Sequence, residues 1–175
     1  HVSIGNASDE AVQIAMSRDV TLQEAIIAET VGAHAELGGV LVNYSDPRRG
    51  FPLTRVALLR NLLVRIQGRT PELSRENMPS AEGTHSDLEI SNNVVWDPRR
   101  PMWLAASNSQ TKRPVYWNIN LVGNVYGLSD RHAYGMLTIE EAASPQTLAP
   151  GSALFLDGNV STRFPRRRDH ELVYC

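Results

Sequence analysis

Val20-Thr-Leu22-Gln-Glu-Ala25-Ile26-Ile27 is the first of five stretches built on one pattern, apolar–x–apolar–x–x–(Asn or Ala)–apolar–apolar. The pattern returns as Val56-Ala-Leu58-Leu-Arg-Asn61-Leu62-Leu63 and Leu88-Glu-Ile90-Ser-Asn-Asn93-Val94-Val95. It closes with Ile119-Asn-Leu121-Val-Gly-Asn124-Val125-Tyr126 and Leu154-Phe-Leu156-Asp-Gly-Asn159-Val160-Ser161. The sixth positions are 25, 61, 93, 124 and 159, so the spacings are 36, 32, 31 and 35 residues. Each unit alternates apolar and polar residues, the period of a strand, and then turns into a second apolar step. One unit cannot bury its apolar face alone, whereas stacked units bury a continuous interior. An Asn at the same place in four successive units predicts a ladder of side-chain amides at an inward bend. The chain therefore reads as all-β, a right-handed parallel β-helix. A β-sandwich with Asn-rich turns is the alternative, but sandwich strands recur about every 8–12 residues.

Composition sets limits. The chain has 175 residues, enough for one domain with a substantial core. A formal net charge of −2 gives no global field directed at nucleic acid. Of 17 basic residues 16 are Arg, and Lys112 is the exception. Arginine presents a planar fork that matches carboxylates, although genomic base composition produces the same bias. Cys175 alone excludes an internal disulfide framework. No apolar run is long enough to span a membrane, and no secretory signal is visible at the N-terminus.

The chain opens inside a strand, with Val2-Ser-Ile4 reading as the end of a coil and no polar cap before it. The expectation is a single β-helix domain over 1–175 whose earlier coils are missing, with 163–175 as a C-terminal tail. Residues 30–54, 68–87, 97–114 and 127–150 read as insertions rich in Gly, Pro, Ser and charge. A single helical turn is expected within 140–149.

Three stretches carry candidate chemistry. They are His1-Val-Ser-Ile-Gly-Asn-Ala-Ser-Asp9-Glu10-Ala-Val-Gln13-Ile14, Ser17-Arg-Asp19-Val-Thr-Leu-Gln23, and Asn61-Leu-Leu-Val-Arg65-Ile-Gln-Gly68-Arg69-Thr-Pro71-Glu-Leu73. They resemble, in order and spacing, segments of pectate lyases. There a His-Cys-Ser…Asp-Glu-Ala-x-Asp-Ile segment precedes Ser-Arg-Asp-Val-Thr-x-Gln, and an Asn-Leu-Phe strand leads into Gly-Arg-Asn-Pro-Arg-Leu. Ile90-Ser-Asn92-Asn93-Val-Val-Trp96 and Asn120-Leu-Val-Gly-Asn124-Val-Tyr126 are similar to later coils of that family. The resemblance runs from residue 1 to about residue 127; the last fifty residues share only the general pattern.

That resemblance implies a secreted, extracellular or periplasmic enzyme that cuts polygalacturonate or pectin by β-elimination. A base removes the C5 proton of a uronate, and calcium stabilises the enolate-like intermediate. Carried over residue by residue, it implies Arg69 as the base and Asp9 as a calcium ligand, with Gln13 at the position of a second carboxylate. Arg75 and Arg65 are candidate substrate-binding residues, and His34 stands where the family commonly has a lysine. Glu10 is a substitute calcium ligand, with strand alternation pointing its side chain away from Asp9. The expected partner is an acidic polysaccharide, with no nucleic acid, no membrane and a monomeric state.

Three departures keep an alternative open. Gln13 brings no charge to calcium, the lysine is absent, and Glu72 reverses the sign of an arginine in the family pattern. A non-catalytic, carbohydrate-binding or structural β-helix accommodates all three. Plain readings also stand beside the site residues: a surface ion pair for Arg69 and a turn residue for Asp9. A hydrolase on the same scaffold requires paired carboxylates, and the sequence presents no evident pair. Trp96, Trp103, Tyr116 and Trp117 are candidates for a sugar-stacking face, while Trp96 and Tyr126 follow core periodicity.

Overall fold

The computed structural model describes residues 1–31, 38–74, 83–108, 111–140 and 148–175. Three parallel sheets run the length of the molecule, and the chain visits them in strict rotation. The first sheet stacks β1 (Val2–Gly5), β4 (Ala25–Ala28), β7 (Leu62–Val64), β10 (Val94–Trp96), β13 (Val125–Gly127) and β16 (Val160–Ser161). The second stacks β2 (Val12–Ala15), β5 (Val40–Asn43), β8 (Glu72–Leu73), β11 (Met102–Ala105), β14 (Leu137–Glu140) and β17 (Val173–Tyr174). The third stacks β3 (Arg18–Gln23), β6 (Thr54–Leu59), β9 (His85–Ser91), β12 (Tyr116–Val122) and β15 (Ala153–Asp157). This is a parallel β-helix, and the five sequence repeats are the third-to-first-sheet passages of successive coils.

The register turns the apolar positions into stacks. Leu58, Ile90 and Leu121 lie over one another in the third sheet, and Ile27, Leu63, Val95 and Tyr126 in the first. Ile14, Val42, Leu73, Leu104 and Ile139 do the same in the second. All join one continuous core, where each buried aliphatic side chain contributes roughly 1.5–3 kcal/mol relative to exposure.

The corner from third to first sheet is a single left-handed residue followed by the ladder position. Glu24, Arg60, Asn92, Gly123 and Gly158 hold φ between 53° and 66° there. The chain thus bends one residue before the Asn. Asn61 donates its backbone N–H and its amide to Asn93 Oδ1, at 2.9 and 3.0 Å. Asn93 does the same to Asn124, and Asn124 to Asn159. Each amide also donates back to a carbonyl of the preceding coil, such as Leu22 O from Asn61. The first rung, Ala25, has only a backbone N–H to satisfy and finds Asn61 Oδ1.

The ladder ends on a side chain from the C-terminal segment. Asp169 Oδ1 accepts the Asn159 backbone N–H at 2.8 Å and its amide at 2.6 Å. Asp169 begins a 3₁₀ turn, Asp169–Leu172, that leads into β17, whose register extends the second sheet beyond β14. Leu172 is buried in the core. Residues 163–175 are thus built into the helix.

The expected insertions are not simple loops. Each contains a strand of the second sheet: β5, β8, β11 or β14. All four residues of β5 are buried, so alternation is absent and the run Val40-Leu-Val reads as uniformly apolar. The helical turn expected within 140–149 falls mostly on 141–147, outside the described residues.

Two substitutions test the ladder by equilibrium urea unfolding. Asn124→Ala strips the acceptor from two buried donors of Asn93, and is expected to lower the unfolding free energy by about 3 kcal/mol. Asp169→Ala is expected to cost about 1–2 kcal/mol, and Asp169→Asn less, because a carbonyl oxygen remains to accept. An Asp169→Ala protein as stable as wild type would show that the cap carries no weight.

Candidate functional site

The turn between β7 and β8 carries the arginine singled out by the sequence. It is clamped from the coils on both sides. Arg69 O accepts the Val40 N–H at 2.8 Å, and the Gln67 N–H donates to Thr30 Oγ1 at 2.9 Å. From the following coil, Arg99 N–H donates to Ile66 O at 2.8 Å, and Arg100 O accepts the Thr70 hydroxyl at 2.7 Å. Thr30, Ile66 and Thr70 are buried. Arg69 itself has φ 60°, in the left-handed region. The preceding coil must come close to it. A Cβ on Gly39 would lie 2.1 Å from Arg69 O, and Gly39 has φ 68°. Glycine is therefore required there by both space and backbone conformation.

The Arg69 guanidinium, 14% exposed, lies among three carboxylates. Nε donates to Glu72 Oε2 at 3.2 Å. Nη1 meets Glu10 as a close ion pair rather than an aligned hydrogen bond, and Asp9 Oδ1 stands 3.8 Å away. Glu10 and Glu72 are as sheltered as the arginine, while Asp9 is 70% exposed. Asp9 Oδ1 also accepts the Glu10 N–H. Asp9 and Glu10 precede β2, so strand alternation does not apply to them, and both carboxylates reach the same nitrogen. This corrects the expectation that Glu10 points away.

Gln13 takes no part in this cluster through its amide nitrogen, which donates to the buried Asn43 Oδ1 at 3.0 Å. Arg65, the residue after β7, has φ 51° and pairs through Nη2 with Glu29 of the preceding coil. Arg75 and His34 lie outside the described residues. Glu72, read from sequence as a contrary charge, is instead the neighbour that holds Arg69 across an i,i+3 spacing.

The oxygen donors here are of the type calcium takes. Glu10 and Glu72 pair with Arg69, Gln13 donates through its amide nitrogen to Asn43, and Asp9 is largely exposed. Among the described residues, no group of three or more His, Cys, Asp and Glu side chains is placed to hold a metal ion.

The described residues form a groove on each of two faces of the helix. One, about 380 Å³, is lined by Arg65, Ile66, Gln67, Asp97, Arg99 and Arg131, and so shares the 65–71 turn with Arg69. The other, about 460 Å³, lies on the outer face of the third sheet and includes Asp87 and Glu89. These two carboxylates face outward two residues apart, roughly 7 Å along the strand, a pair the sequence reading did not pick out. They form a structural network. Asp87 accepts from Thr54 and Asn118, and Glu89 from Ser91 and Asn120. A general acid and base must exchange protons with a ligand, and all four of these oxygens already accept from protein donors.

The aromatic residues do not form one sugar-stacking face. Trp117 is fully buried, and its indole N–H donates to Ala105 O. Trp103 belongs to the second sheet, and Tyr116 sits beside His85 in the third. Tyr126 is core, and burial pushes its phenol well above its ordinary range. Trp96 is 52% exposed rather than core. Its ring lies over Gly127, where a Cβ would come within 2.2 Å of it.

No family model, curated protein or solved structure matches the chain. Among the described residues, no helix is long and apolar enough to cross a membrane.

Gly39→Ala tests how the arginine is positioned. Left-handed strain alone is expected to cost about 1–3 kcal/mol, with a further loss from displacing the Arg69 carbonyl. Thermal unfolding measures it; an unchanged midpoint would mean the turn is not seated on Gly39.

Proposed function

We propose that the protein is a polysaccharide lyase acting on polygalacturonate-type uronate polymers, with Arg69 as the base. The observation that carries this reading is convergence. Asp9 and Glu10, sixty residues before Arg69 in the chain, meet it on a turn clamped by both neighbouring coils. The pectate-lyase resemblance assigns Arg69 and Asp9 to one site, with Glu10 as a substitute ligand beside Asp9. The adjoining groove, with three arginines and one aspartate, has the sign an acidic polymer needs.

The chemistry asks two things of these residues. Arg69 must be held at a fixed place for a reacting carbon to approach, and the clamping of its turn supports that. It must also be neutral when it takes the C5 proton, whereas a guanidinium between Glu10 and Glu72 is a cation. Turnover therefore requires that acidic pairing to be relieved as substrate enters. Calcium, when bound, would supply charge withdrawal from the uronate carboxylate; with Asp9 as the one open carboxylate, its affinity is expected to be weak.

The same pairing favours a second reading: a uronate-binding β-helix without turnover, in which Arg69 is a permanent cation that organises its turn.

Ultraviolet absorbance of unsaturated uronide released from polygalacturonate separates the two. The lyase reading expects product in millimolar calcium, none with chelator, and a loss of about 100-fold or more in Arg69→Lys. Arg69→Lys is the informative variant because Arg69→Ala strands two sheltered carboxylates, at a cost of about 3 kcal/mol or more. A folded wild-type protein that releases no product from several uronate polymers sinks the lyase reading.

A further inference from the structure

We infer that the groove beside Arg65 is a subsite for the carboxylates of an acidic oligosaccharide, with Arg99 as its uncommitted cation; this rests on the proposed reading of the protein as one that handles uronate polymers. Three successive coils each bring one arginine to the groove: Arg65 after β7, Arg99 after β10 and Arg131 after β13. Coils stack about 4.8 Å apart, so the three arginines enter the groove from successive levels of the helix, and a polymer with a carboxylate on each sugar can meet more than one of them.

The three arginines are not equivalent. Arg65 commits Nη2 to Glu29. Arg131 commits Nη2 to Asp97 Oδ1 at 2.6 Å and to Pro98 O at 3.1 Å. Each guanidinium has five N–H donors, so both keep donors in hand. Arg99 differs. Its backbone N–H is fixed to Ile66 O at 2.8 Å, while its exposed side chain makes no ion pair or hydrogen bond among the described residues. With Asp97 as the one acid in the lining, the groove keeps an excess of positive charge. A planar fork held by its backbone and left without an acid is suited to bidentate capture of a carboxylate.

Isothermal titration with a short galacturonate oligomer tests this, with chelator present so that no bond is cut. Arg99→Ala is expected to weaken binding about tenfold, Arg99→Glu further, and Arg99→Lys less than Arg99→Ala. The fully methyl-esterified oligomer carries no charge and should not distinguish wild type from Arg99→Ala. Equal affinity of wild type and Arg99→Ala for the charged oligomer overturns the subsite, as does a wild-type protein that binds none. Arg99-dependent binding of a single-stranded oligonucleotide, with no binding of galacturonate, overturns it too. Arg99-dependent galacturonate binding by a protein that releases no unsaturated product keeps the subsite and sinks the lyase reading, so the two failures remain distinguishable.

Discussion

The structure depends on how each coil closes its bend between the third and first sheets. A parallel ladder satisfies backbone groups along a strand but not at a corner, where the chain leaves the sheet plane. Here one left-handed residue makes the bend, and the next position must satisfy the groups it turns inward. The Asn ladder does so with a polarity. Ala25 enters the ladder through its backbone N–H alone, which donates to Asn61 Oδ1. Each Asn oxygen accepts from the coil before it, so the donors of Asn159 need an acceptor from beyond the repeat, and Asp169 supplies it. A carboxylate is acceptor-only when ionised, and thus ends a chain of donors without creating a new one. The C-terminal segment is thereby tied to the same interaction that spaces the coils.

That spacing also places Arg69. Its turn spans the gap between two sheets and has no ladder of its own, so its order comes from neighbouring coils: Gly39, Val40 and Thr30 before it, Arg99 and Arg100 after it. A shift of one coil relative to the next would move all of these contacts together. The acids around Arg69 are held with comparable care: Glu72 is the first residue of β8, and Glu10 follows a turn closed by Asp9. Arg69 thus meets three carboxylates, while the adjoining groove is lined by three arginines and one aspartate.

Much of the fold is legible because the repeat marks the one corner with a chemical requirement. The Asn at 61, 93, 124 and 159 and the alternation before it reveal two of the three sheets. The second sheet escapes for a physical reason: β8 is two residues long, and β5 is buried on both faces, so neither shows a period. At the site, Arg69, Asp9 and Glu10 are readable as motif residues, but their pairing is not. Glu72 looks like a charge in the wrong place until the i,i+3 contact is seen. Trp96, expected in the core, is exposed because it follows the core residue Val95 in the same strand; alternation turns it to the outer face, where its ring lies over Gly127.

The arginine bias has a structural component. Between the first and second coils, Asp19–Arg55, Glu24–Arg60 and Glu29–Arg65 pair across the same 36-residue interval. The hydrogen bond from Arg55 holds the Asp19 carboxyl below its ordinary range. Each pair is exposed and contributes little stability alone. Three at one interval nonetheless fix register, since slipping the stack by a residue would break all of them and turn the apolar set outward. Asp97–Arg131 repeats the device two coils later. Arg65 and Arg131 each pair with an acid of the coil before, whereas Arg99, in the same groove, makes no such pair among the described residues. Its backbone is fixed, its side chain is exposed, and the acid beside it is already taken by Arg131. A cation so placed does nothing for register among the described residues, and its charge is left to solvent or to an anion from outside the chain, as the proposed subsite requires.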